Sequence, residues 1–160
     1  MIKIDKNIST HFLYPSNLFA AKERHMVTTI LGSCVAICLY NAKLKYGGIN
    51  HYMLPLWNNN GLATPRFGNI ANQKLLEKML QLGSHKNHLA AKVFGGANQL
   101  NSSINIGGRN IDIALSFLEE NKIKLIGKSV GGEVGRKILF DTNTGSVLMK
   151  YVQKSIPQIK

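Results

Sequence analysis

Apolar positions along this chain come in short blocks punctuated by Gly, Pro and Asn, and the period inside each block tells strand from helix. Residues 27–31 and 35–40 are runs of β-branched and apolar side chains and read as buried strands. Residues 48–54 read as a third strand, closed by Pro55. Across residues 69–82 the apolar positions Ile70, Leu75, Leu76, Met79, Leu80 and Leu82 fall mostly at helical spacing, and Gly83 is placed to end the helix. A short strand at 90–94 runs into Gly95-Gly96, and Ile111, Ala114, Leu115 and Leu118 mark a second helix over 110–121. Strand signals resume at 123–130. Residues 136–140 and 146–152 flank a turn-rich loop, 141–145, of a length that closes a terminal hairpin, with fraying expected after Val152. No internal repeat or linker divides the pattern, so residues 1–160 read as one α+β domain.

The chemistry concentrates where a small-residue turn, Gly32-Ser33, delivers Cys34 to the start of a strand. If residues 34–40 and 45–51 pair as a hairpin around the loop 41–44, Cys34 stands directly opposite His51, with Cβ atoms about 5 Å apart. A slip of one residue would put the two side chains on opposite faces. An imidazole that takes the thiol proton creates a nucleophile and, afterwards, a general acid, which is what acyl transfer needs. In the same register Cys38 faces Gly47, which offers no base, so Cys38 reads as core. The competing reading is plain: a cysteine in an apolar run is often a small hydrophobe, and Thr28 by itself is an ordinary strand residue.

Composition narrows the alternatives. Two cysteines are too few for a disulfide scaffold, and two thiols four residues apart on one strand lie about 13 Å apart, too far to bridge. The eight acidic residues include one adjacent pair, Glu119-Glu120, whose members diverge on a helix, which argues against paired-carboxylate chemistry. His85 and His88 lack an accompanying HExxH or CxxC and read as solvated loop rather than metal ligands; no metal or cofactor is called for. Gly95-Gly96, Gly107-Gly108 and Gly131-Gly132 read as turns, since no GK[ST] follows to make a phosphate loop. The formal charge of +12 points to an acidic partner, but the basic residues are scattered and no zinc-finger or RNA-reading motif accompanies them, which speaks against nucleic acid. No apolar run reaches the roughly 18 residues of a membrane span, and the N-terminus lacks an export core, so a cytoplasmic protein without membrane insertion is expected.

The motifs TTILGSC (28–34), GGINHYMLP (47–55), AKVFGGA (91–97), NIGGRN (105–110), GGEVGRKILF (131–140) and the closing TGSVLMKY resemble, in order and over nearly the whole chain, the chemoreceptor glutamine deamidases called CheD. The resemblance implies a Cys-His-Thr triad on Cys34, His51 and Thr28, and hydrolysis of glutamine side chains on methyl-accepting chemotaxis receptors to glutamate. Some members are described as also hydrolysing glutamyl methyl esters. It further implies a CheC-like phosphatase as partner and a layered α/β sandwich with mixed, largely antiparallel sheets, similar to the deamidase domain of cytotoxic necrotizing toxins. The Cys34 backbone N–H, helped by Ser33 and by the open approach at Gly32, is the expected oxyanion donor. Asn41 and Gln99-Leu100 depart from many relatives and bear on partner choice. The rival function is a regulatory module that uses its basic surface to bind an acidic helix without turnover.

Overall fold

A computed structural model describes residues 7–152. The order is β1 (Ser9–Phe12), β2 (Asn17–Ala21), β3 (His25–Leu31), β4 (Val35–Asn41), β5 (Tyr46–His51), α1 (Gly68–Gln81), β6 (Leu89–Gly95), α2 (Ile106–Glu120), β7 (Lys124–Val130), β8 (Gly135–Asp141) and β9 (Val147–Val152). The strands form two mixed sheets, one ordered β1-β3-β8-β9 and the other β2-β5-β4-β6-β7. Only β1–β3 and β6–β7 pair in parallel among the described residues. This is the expected α+β fold with largely antiparallel sheets. The expected fraying after Val152 concerns residues outside those described.

Three layers result because β4, at the centre of the five-stranded sheet, is apolar on both faces. Its odd positions Val35, Ile37 and Leu39 pack with Ala71, Leu75 and Met79 of α1 and with Ala114 and Leu118 of α2. Its even positions Ala36 and Cys38 turn the other way, joining Ile49 and Phe94 against Val27, Leu31, Ile138 and Phe140 from the four-stranded sheet. A strand buried on both faces loses the apolar–polar alternation of a surface strand, which explains the unbroken run VAICLY. The buried positions of α1 and α2 recur at three- and four-residue steps, so each helix lays one stripe on the sheet.

The β4–β5 hairpin forms, but with Asn41 opposite Tyr46 and Cys38 opposite Ile49, so the pairing is moved by two residues from the expected register. Asn41 is the cause. Its side-chain oxygen accepts the N–H groups of Lys43 and Leu44, and its carbonyl accepts that of Lys45, which closes the turn one position later than expected. Because the shift is even, every side chain keeps its face. Gly47 therefore lies opposite Tyr40, and Cys38 is buried core as expected.

Two further differences have local reasons. Helix α2 begins at Ile106, so Gly107-Gly108 is helix rather than turn: the Asn105 side chain caps it by accepting the Gly108 N–H, and Gly107 packs against the carbonyls of Gly96 and Ala97 where a Cβ has no room. Strands β1 and β2 escaped the pattern because they are short, and β1 is exposed along its length.

The two sheets approach closely at Gly47, where an added Cβ would stand 2.6 Å from the Leu39 carbonyl oxygen and 2.9 Å from the Phe140 ring. Backbone cannot yield as a flexible side chain can, so Gly47→Ala is expected to destabilise the fold by about 1–3 kcal/mol. Urea unfolding checks this, and an unchanged midpoint would contradict the packing described.

Candidate active site

The turn between β3 and β4 is held by its carbonyls. Gly32 O accepts the Ala97 N–H (2.9 Å), Ser33 O accepts Asn110 Nδ2 (2.9 Å), and Cys34 O accepts the Gly96 N–H (2.9 Å). With the carbonyls committed, the N–H groups of Ser33 and Cys34 donate to no other described residue. Gly32 has no positive φ, and a Cβ there would stand 2.5 Å from the amide oxygen of Gln99, the end of a flexible side chain that can move aside. A cleft of about 370 Å³, lined by Ser33, Asn98, Gln99, Leu100 and Ile104 among others, opens beside this turn.

Cys34 packs on the inter-sheet core and is partly exposed, while His51 at the end of β5 is 1% exposed. Val35 and Tyr52 exchange backbone hydrogen bonds (3.1 and 3.0 Å), which extends the hairpin register past His51. His51 is therefore one diagonal step from Cys34 on the same face, rather than directly opposite it.

The residue on the imidazole is Thr29. Its Oγ1 lies 2.7 Å from His51 Nδ1 and 2.7 Å from the Leu13 carbonyl oxygen. A carbonyl can only accept, so the single hydroxyl proton goes to Leu13 and Oγ1 accepts a proton from Nδ1. That fixes the tautomer with hydrogen on Nδ1 and leaves Nε2 as a bare lone pair, buried and without a hydrogen-bond partner among the described residues. Thr28, expected to fill this role, alternates onto the opposite face of β3, the face that carries half-exposed Ile30. Thr29, by contrast, is fully buried opposite Ile138. Motif spacing points to Thr28, whereas strand alternation from Val27 and Leu31, both core residues, places Thr29 on the inner face beside His51.

A family model described as CheD chemotactic sensory transduction matches residues 53–151. The chain is 50% identical over 145 residues to "Probable chemoreceptor glutamine deamidase CheD" of Trichlorobacter lovleyi, covering 89% of this chain and 90% of that one. It is 46% identical over 148 residues to the protein of the same name from Sulfurimonas denitrificans, covering 90% and 95% of the two chains. The chain belongs to the CheD family.

In this CheD-family chain burial sets the protonation state of both partners. It holds the His51 pKa down, to about 4, and it raises that of Cys34, an effect partly offset by the cysteine's own backbone N–H. At neutral pH these shifts leave Cys34 a thiol and His51 a neutral imidazole. Cys38 is buried, and burial raises its thiol pKa well above the usual range, which keeps it inert.

Two parts of the site were not legible beforehand: the Leu13 carbonyl that orients Thr29, and Asn110, which ties the Cys34 turn to the residues after His51 through Ser33 O and Met53 O (3.0 Å). Only Asn110 left a trace, as the last residue of NIGGRN. His85 and His88 meet edge to face at 5.8 Å, and no group of three metal-ligating side chains occurs among the described residues. No helix among them is long and apolar enough to cross a membrane.

The depressed His51 pKa carries a pH signature. Between about pH 4 and 6.5 the unfolded chain binds the proton that the folded one refuses, so stability is full above 6.5 and is lost as pH falls through that window. Imidazole NMR should show His51 neutral at pH 5.5, with unfolding midpoints falling towards pH 4. A His51 that titrates near 6.5 would contradict its burial.

Proposed function

We propose that this chain deamidates glutamine side chains of chemoreceptors, with Cys34 as nucleophile, His51 as acid–base and Thr29 as the group that orients His51. The observation that carries the reading is the bare Nε2 of His51, on the same sheet face as Cys34 and held in that tautomer by Thr29. The names of the two relatives supply the substrate class.

In the proposed reaction Cys34 Sγ attacks the amide carbon as its proton passes to His51 Nε2. The C–N bond breaks, His51 returns the proton to the departing nitrogen, and ammonia leaves a thioester on Cys34. Water, deprotonated by the same Nε2, hydrolyses the thioester to glutamate and restores the thiol. A glutamyl methyl ester would follow this path with methanol leaving. The N–H groups of Ser33 and Cys34, which donate to no other described residue, suit the oxyanion of both tetrahedral intermediates. Since receptor methylation sites face the cytoplasm, the enzyme works there, and its +12 charge favours carboxylate-rich surfaces, whether on receptors or on a CheC-like phosphatase.

Mass spectrometry of receptor cytoplasmic fragments incubated with the protein tests this. Deamidated glutamines should appear with wild type and with Cys38→Ala, and should be absent with Cys34→Ala. Receptor binding without deamidation by wild type would favour a regulatory module, and retained turnover in Cys34→Ala would show that the wrong thiol has been chosen.

A further inference from the structure

We propose that Asn110 is a positioning residue for the oxyanion site: by holding the Ser33 carbonyl inward it aims the Cys34 N–H at the substrate. The inference rests on the deamidase reading above and names a residue that reading does not need.

The peptide between Ser33 and Cys34 is trans, as are all described peptides, so its C=O and N–H point in opposite directions from one plane. Whatever fixes the Ser33 carbonyl therefore fixes the Cys34 N–H. Of the three carbonyls in the turn, those of Gly32 and Cys34 are held by backbone amides, and that of Ser33 is held by a side chain, Asn110 Nδ2 at 2.9 Å. The same Nδ2 donates to Met53 O at 3.0 Å, using both its hydrogens. Asn110 itself is anchored from α2, where its backbone carbonyl accepts the Tyr52 hydroxyl at 2.6 Å.

The other half of the Asn110 amide argues for the role. Asn110 is fully buried, and its Oδ1 has no hydrogen-bond partner among the described residues. A buried carbonyl oxygen without a donor is unfavourable, so the side chain is kept for its NH₂ group. The relative placement of Cys34 and His51 does not depend on it, because the Val35–Tyr52 backbone pair holds the two strands together on its own. Removing Asn110 should therefore release the peptide plane and leave the thiol–imidazole pair in place.

Two assays separate these effects in full-length Asn110→Ala, with the shape-conserving Asn110→Leu as a second variant should the first fold poorly. Receptor deamidation should show kcat reduced about a hundredfold, the scale of losing one oxyanion donor, with KM changed little. Alkylation of Cys34 by iodoacetamide, which forms no oxyanion, should keep the wild-type rate and pH profile. A kcat within threefold of wild type in a folded variant overturns the proposal. So does a parallel loss of alkylation rate, which would make Asn110 scaffold for the whole site. Cys34→Ala is run alongside: deamidation by that variant overturns the deamidase assignment itself, whereas failure confined to the Asn110 variants overturns only this inference.

Discussion

One hydrogen bond, from His51 Nδ1 to Thr29 Oγ1, joins the two sheets at the point where the chemistry is placed. His51 belongs to the five-stranded sheet and Thr29 to the four-stranded sheet, so the tautomer of the base depends on the sandwich being closed. The Leu13 carbonyl completes the constraint by taking the only proton Thr29 has. A neutral hydroxyl stabilises an imidazolium less than a carboxylate does, and burial further disfavours the charged ring.

The turn that carries Cys34 shows a second constraint, which is the direction of backbone groups. Its carbonyls are satisfied by the segment after β6 and by α2, while the N–H groups of Ser33 and Cys34 donate to no other described residue. Glycines serve close approach here. Gly95, at φ +107°, crosses so near the Cys34 carbonyl that a Cβ there would stand 2.2 Å from its oxygen. The GGA and NIGGRN motifs thus have a common physical purpose, which is to bring β6 and α2 against the turn that carries Cys34.

The sequence was legible where burial imposes a simple period. Strands β3 and β4, helix α1 and the β8–β9 hairpin follow from runs and alternation alone. Register was harder, since it was set by the hydrogen bonds of one buried residue, Asn41, which moved the turn by one position and the pairing by two. Parity survived, so Cys34 and His51 still share a face. Parity is also what sets Thr29 rather than Thr28 against His51: adjacent threonines on a strand point to opposite faces, and Val27 and Leu31 facing the core put Thr29 on the inner one. Leu13 O could not be foreseen, because a backbone carbonyl brought in by tertiary contact leaves no mark on side-chain pattern.

The most direct test is the kinetic comparison of Thr29→Val with Thr28→Val, each isosteric with threonine and lacking only the hydroxyl. Thr29→Val should lower kcat for receptor deamidation by about ten- to a hundredfold, as the imidazole loses the acceptor that fixes its tautomer. Thr28→Val should stay within about twofold of wild type, its side chain lying on the far face of β3. The reverse result, with Thr28→Val slow and Thr29→Val unaffected, would contradict the placement of the base on which the account depends.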